Sequence, residues 1–245
     1  MTPAYVYGLV AADAEPPEDL VGLGPSGRVS TITRGRLAAL VSDAPTDRAV
    51  GTADDILGHQ RVVDAVAATT AILPMRFGSV VDDPAEVADL LATEQDRLSQ
   101  ILAALQGRVQ YTLRGSYRQE IVLRELLERD AEISSLRERI DGLPEDASYP
   151  ERVRLGERVV NEMTALRELD AARMLERLTP TSAETVEHPP ASPEDVIDAA
   201  FLVDRAAERE FSDAVDEVGR EFGGRVRLRL LGPVAPYDFV PGRWR

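Results

Sequence analysis

Two histidines, 43 carboxylates and no cysteine are what this 245-residue chain offers for building a reactive site. Without cysteine there is no disulfide, thiolate nucleophile or zinc–thiolate centre. His59 has Asp54, Asp55 and Asp64 near it in sequence, but no H-x-x-x-H or H-x-x-E pair forms around it. His188 sits just before Pro189 in a turn. Both read as surface or boundary histidines and not as metal ligands or bases. The acidic doublets Asp82-Asp83, Glu145-Asp146 and Glu194-Asp195 precede or open helices, where carboxylates suit the exposed N–H groups, and they lack calcium-loop spacing. The string GLGPSG (Gly22 to Gly27) matches G-x-G-x-x-G literally. A dinucleotide fingerprint must leave a strand directly and open a helix; here a loop precedes it, Pro25 lies inside it and VSTITRG follows. Ser79 and Ser116 follow glycines but have no G-x-S-x-G elbow. Nothing marks a catalytic carboxylate pair.

Two stretches call for more than a bland account. ILPMRFG (Ile72 to Gly78) gathers Pro74, Met75, Arg76 and Phe77 at one chain reversal, and an arginine amid apolar residues must either reach water or find an acid. RVRLRLLGPVAPYDFV (Arg225 to Val240) alternates Arg225, Arg227 and Arg229 with apolar residues, then carries Pro236, Tyr237 and Phe239 in a stiff tail. These ten residues are the candidate protein-interaction set, because proline-rich, aromatic and arginine surface is what protein interfaces favour. As plain core, Met75 and Phe77 would simply be buried.

The elements that position them follow from periodicity. Tyr5–Val10 reads as a strand, 11–27 as a loop, and Val29–Thr33 and Leu37–Val41 as a hairpin turned by Arg34-Gly35-Arg36. Thr52 caps a helix to about Ala68, with Ile56, Leu57, Gln60, Val63 and Ala67 expected on its inner side. Asp83-Pro84 opens another helix, striped by Val87, Leu91, Leu98, Ile101, Leu102 and Leu105 and ended at Gly107. Gly107-Arg108 is the expected boundary between domains at 1–107 and 108–245. The second half begins with a half-buried strand, Val109, Tyr111 and Leu113 alternating with Gln110, Thr112 and Arg114. A long helical region over 117–178 follows, broken at 142–151. Strands near Ser182–Glu187 and Val196–Val203 come next, then a helix striped by Ala207, Phe211, Val215, Val218 and Phe222, and a last strand at Val226–Leu231.

That order, strand, helices, strand, strand, helix, strand, predicts an α+β ferredoxin-like domain with an enlarged helical insertion. One sheet face is expected to be free and to carry Arg225, Arg227 and Arg229. The first half reads as a modified ferredoxin-like domain in which the loop replaces a crossover helix. An RNA-recognition module shares this strand order, but its free face needs stacking aromatics that these strands lack. The charge points the same way: 28 basic and 43 acidic residues leave a net of −15, which disfavours nucleic acid or an anionic membrane as a bulk partner. The N-terminus has no basic region ahead of its apolar run, and no stretch reaches the length of a membrane span. The expectation is a soluble, cytoplasmic protein with no cofactor. The rival reading is an enzyme of unknown reaction with an inter-domain site.

The sequence also resembles a known family over nearly its whole length. The matching features are YVYGLV at 5–10, ILPMRFGSVV at 72–81, YPERVRLGERV at 149–159, DAAFLVDRAAEREF at 198–211 and RVRLRLLGPVAPYDFV at 225–240. It is similar to the gas vesicle protein GvpL/GvpF family; the strand VQYTLRGSYRQE departs from the common pattern. The resemblance implies two domains of ferredoxin-like character, no cofactor and no catalytic residues. It further implies an accessory or minor structural role in assembling the gas-filled shells that usually confer buoyancy. The implied partners are the small hydrophobic shell protein, held against aggregation, and other gas vesicle accessory proteins.

Overall fold

The computed structural model describes residues 3–46 and 48–241. The chain is α+β and divides into two compact units. Unit 1 holds the residues up to Tyr111, Leu202–Arg205 and those from Gly232 onward; unit 2 holds Thr112–Phe201 and Ala206–Leu231.

Unit 1 is built on β1 (Ala4–Ala11), β2 (Ser30–Arg34) and β3 (Leu37–Asp43). Two short strands, β4 (Leu73–Pro74) and β5 (Val80–Val81), join the sheet. Its order is β2-β3-β1-β4, with β5 also paired to β1. Helix α1 (Ala53–Thr69) lies on one face; α2 (Pro84–Thr93) and α3 (Gln95–Leu105) lie on the other. β1 is therefore buried on both sides. A register shift between Val6 and Gly8 deals Ala4, Val6 and Leu9 to the α2–α3 side and Tyr5, Tyr7 and Val10 to the α1 side.

The caps are those read from sequence. Thr52 and Asp55 form a reciprocal capping box on α1, and Asp83 caps α2 ahead of Pro84. The buried face of α1 is not the expected one. Ile56 and Leu57 are exposed, while Asp55, Gly58, His59, Val62, Val63, Val66 and Ala67 face inward. The single expected helix at 84–107 is two, parted at Glu94.

Loop 11–27 is pinned by its glycines. A Cβ on Gly24 would lie 2.0 Å from the Asp43 carbonyl oxygen, and Leu23 N–H donates to the Tyr7 hydroxyl at 2.7 Å. No helix follows GLGPSG, so it serves close packing.

In unit 2 and its strand extensions, β6 (Arg108–Tyr117) leads into α4 (Gln119–Arg129), α5 (Ala131–Ile140) and the 30-residue α6 (Tyr149–Leu178). Then come β7 (Glu184–Glu187), β8 (Asp195–Asp204), α7 (Glu208–Phe222) and β9 (Val226–Val234). The sheet order is β7-β8-β6-β9. Phe211, Val215, Val218 and Phe222 are all buried, and Phe211 meets Phe201 of β8 with ring centroids 5.3 Å apart. Fully burying such a side chain is worth roughly 1.5–3 kcal/mol, so this stripe fixes α7 to the sheet.

Two expectations about this sheet need correction. β6 is not half-buried: Gln110 and Thr112 are as enclosed as Val109, Tyr111 and Leu113. The face opposite α7 is likewise closed over Ala200 and Leu202, and opens where Arg114, Ser116, Asp198, Arg227 and Arg229 stand. Among the described residues, no helix is long and apolar enough to cross a membrane.

Candidate functional site

The candidate residues fall into two places, one in each unit. In unit 1 the LPMRFG reversal hangs from β1. Met75 N–H donates to the Tyr7 carbonyl at 2.9 Å, and Gly78 N–H donates to the Tyr5 hydroxyl at 3.0 Å. The turn closes as Ser79 Oγ donates to the Arg76 carbonyl at 2.8 Å, with Gly78 at φ 88, a conformation costly for any residue with a Cβ. Pro74 is buried, Met75 and Phe77 are half-buried, and Arg76 projects into solvent. Arg76 forms no ion pair among the described residues.

The second tract, in the tail, meets the first through a histidine. His59 is 2% exposed and holds Tyr5 Oη at Nδ1 and Tyr237 Oη at Nε2, each at 2.9 Å. Because Tyr5 Oη already accepts from Gly78, it donates to Nδ1, which leaves Nε2–H for Tyr237. Phe77 meets the same imidazole edge-on at 5.9 Å between centroids, and Tyr7 stacks on it at 5.8 Å. Burial pushes the His59 pKa down to about 4, against a smaller upward pull from the Met75 backbone. Burial also raises Tyr5 to about 12 and raises Tyr237 and Tyr7. These groups are neutral at physiological pH, so the cluster is an uncharged hydrogen-bonded brace.

Two further clasps tie the tail down. Ala235 N–H donates to Asp64 Oδ1 at 3.0 Å, and Asp238 exchanges two hydrogen bonds with Gln110, at 2.6 and 3.0 Å. The burial of Gln110 thus has its partner. Pro236 is buried, and Tyr237 and Phe239 are half-buried. The partners of the tail lie in unit 1, not among the residues just before it.

In unit 2 the three arginines of the last strand part company. Arg225 lies at the junction of α7 and β9 and turns back into its own unit. It bonds the fully buried Asp170 of α6 at 2.5 and 3.0 Å, with Glu125 3.4 Å away. Tyr117 Oη donates to the same carboxylate at 2.9 Å. Arg225 is therefore a structural cation, contrary to its expected place on the open face: Asp170, enclosed and negative, needs it. Arg227 and Arg229 do stand on that face, exposed and without an ion pair among the described residues. They line a depression of about 390 Å³ with Arg114, Ser116, Asp195 and Asp198. Arg114 is held by Asp198 at 3.1 Å, and His188 shares that carboxylate at 3.0 Å.

Sequence reasoning missed His59, Tyr5 and Tyr7 as the brace. The one available signal was the pair of tyrosines at alternate positions in YVYGLV. Among the described residues, no group of three His, Asp or Glu could hold a metal ion.

The tracts joined by this brace, YVYGLV, LPMRFG and PYDFV, lie within three of the five stretches that carry the sequence resemblance. The profile of the family described as gas vesicle synthesis protein GvpL/GvpF matches residues 3–241. The chain belongs to that family. Gas vesicle protein F of Streptomyces sp. (strain CB03234) is 33% identical over 239 residues, covering 96% of this chain and 98% of that one. Gas vesicle protein L of the same strain is 30% identical over 199 residues, covering 77% and 69%. In fold, the crystal structure of GvpF from Anabaena sp. PCC7120 superposes with a TM-score of 0.82 at 22% identity, over 98% of this chain and 99% of that one. GvpF from Microcystis aeruginosa gives 0.78 at 23%, over 98% and 100%. The fold of the GvpL/GvpF family member described here is thus shared with both GvpF structures over nearly its whole length.

Proposed function

We propose that this chain is an accessory protein of gas vesicle assembly that binds the small hydrophobic shell subunit and limits its aggregation while vesicles nucleate or grow. The observation that carries the reading is that Phe77 of the turn and Tyr237 of the tail, both half-buried, meet at one braced imidazole, next in the chain to an exposed Arg76 that forms no ion pair among the described residues. Partly covered apolar and aromatic side chains beside an unpaired guanidinium suit a protein partner. The exposed Arg227 and Arg229 offer a second contact for acidic groups on the same or another vesicle protein. The strongly negative remainder keeps such a complex soluble by repelling further association. Full-length similarity to a gas vesicle protein F, against a shorter match to protein L of the same strain, supports the F-like branch. The strand order β7-β8-β6-β9, with helices before β7 and before β9, supports a ferredoxin-like second domain carrying a helical insertion. A cytoplasmic place on or beside growing vesicles follows from this role.

Co-expression of the shell subunit with and without this chain is the test. The reading expects the subunit to stay soluble and to co-purify with the chain, and Arg76→Ala to weaken that capture without changing the fold. A subunit that is equally insoluble in both cases would refute it.

A further inference from the structure

The residues on the open face of the second sheet stand in rows. Arg118 N–H donates to the Arg225 carbonyl at 2.7 Å, and a Cβ on Gly115 would lie 2.9 Å from Leu228 Cδ2 and 2.8 Å from Ile197 Cγ2. β6 and β9 therefore run antiparallel with Gly115 opposite Leu228, which sets Arg114 opposite Arg229 and Ser116 opposite Arg227. On the other side of β6, Arg114 meets Asp198 of β8 at 3.1 Å. One row across the face thus reads Asp198, Arg114, Arg229. Like charges directly opposite in a sheet are destabilising, and here two guanidiniums stand side by side with a single carboxylate in their row. The acids of the depression are already engaged. Asp198 also holds His188 at 3.0 Å, and Asp195 accepts from the N–H groups of Ala191 and Ser192 at 3.0 and 2.8 Å. Arg227 and Arg229 are exposed and form no ion pair among the described residues.

β9 ends the sheet, so its outer edge pairs with no strand among the described residues. We propose that this edge takes an extended segment of a partner polypeptide as a fifth strand, with acidic residues at alternate positions beside Arg227 and Arg229 and apolar residues between them. Side chains two residues apart on one face of a strand are spaced by about 6.7 Å. Acids at i and i+2 of the added strand therefore meet both arginines, and the row closes as acid, base, base, acid. The intervening residues turn to the other face, where Leu228 and Leu230 are only half-buried and gain cover.

A small anion fits less of what is there, because it leaves the N–H and C=O groups of the edge unused. Charged side chains on an edge strand also guard it against indiscriminate pairing. Two guanidiniums keep that guard against most strands while admitting one of opposite charge. The inference gives the chemistry of the second contact in the proposed function and rests on that reading.

The experiment is fluorescence anisotropy of a labelled synthetic decapeptide that alternates glutamate with valine, titrated with the full chain. The comparisons are Arg227→Glu/Arg229→Glu, a peptide of the same composition with its glutamates grouped at one end, and a fully N-methylated peptide of the alternating sequence. Expected is saturable binding by wild type that weakens about tenfold or more in each comparison, with the circular dichroism of the variant unchanged. The two peptide comparisons use the wild-type chain, so they decide the matter even if the variant misfolds. Absence of binding by wild type overturns the added strand, while capture of the shell subunit in co-expression tests the functional reading separately. Equal binding of the grouped peptide would reduce the site to net charge, and equal binding of the N-methylated peptide would remove the edge. Displacement by inorganic phosphate at about ten times the peptide concentration would assign the arginines to a small anion. Any of these three results overturns the proposal.

Discussion

The His59 brace makes a quantitative prediction about acid. The imidazole is 2% exposed, and burial lowers its pKa from an ordinary 6.5 to about 4. A histidine depressed in the folded state contributes stability fully above the unfolded pKa; that stability is lost as pH falls from about 6.5 toward 4, because the unfolded chain takes up the proton first. At about 1.4 kcal/mol per pKa unit, the complete loss is about 3 kcal/mol, with about 2 kcal/mol of it gone by pH 5. The phenols around the ring stay neutral throughout, and Asp64, which burial raises, and Asp55, which its hydrogen bonds with Arg48 lower, are common to wild type and variant. The test is urea unfolding of wild type and His59→Gln at pH 7.5 and 5. The gap between them should shrink by about 2 kcal/mol at the lower pH. The same titration should appear as a His59 ring resonance with its midpoint near 4. A gap that does not change with pH, or a ring that titrates near 6.5, would refute the buried neutral brace.

Three further outcomes follow from named contacts. Asp170→Ala strands Arg225 and removes the Tyr117 acceptor, so it should cost about 3–5 kcal/mol in chemical unfolding, much of it restored by adding Arg225→Met. Thr52→Ala, which breaks one arm of the α1 capping box, should cost about 1 kcal/mol by the same measurement. Arg227→Glu/Arg229→Glu, at two exposed residues without ion pairs among the described residues, should leave the melting temperature unchanged and reduce capture of acidic vesicle proteins in co-purification.

Where side-chain chemistry and position agree, the sequence was legible. The α7 stripe, the Thr52 and Asp83 caps and the Arg34-Gly35-Arg36 hairpin turn all stand where periodicity and capping put them. Misreadings came where a polar residue is buried with its partner supplied from far away. Asp55 and His59 took the inner face of α1 from Ile56 and Leu57 because Arg48 satisfies the first and two tyrosines the second. Gln110 is enclosed because Asp238 answers it across 128 residues. Arg225 shares a parity with Arg227 and Arg229, but its guanidinium follows Asp170, which no local pattern reveals. The interaction tracts were visible as unusual composition; that LPMRF and PYDF meet at one imidazole was not, since 178 residues separate His59 from Tyr237.

The claim on which the rest depends is that this chain serves vesicle assembly through its surfaces. Deleting its gene, with any duplicate, from a vesicle-forming host and counting gas-filled vesicles by electron microscopy tests this most directly. The account predicts few or no vesicles and insoluble shell subunit, reversed by the wild-type chain and not by one lacking the braced LPMRF turn. Vesicles normal in number and shape in the deleted strain would contradict it.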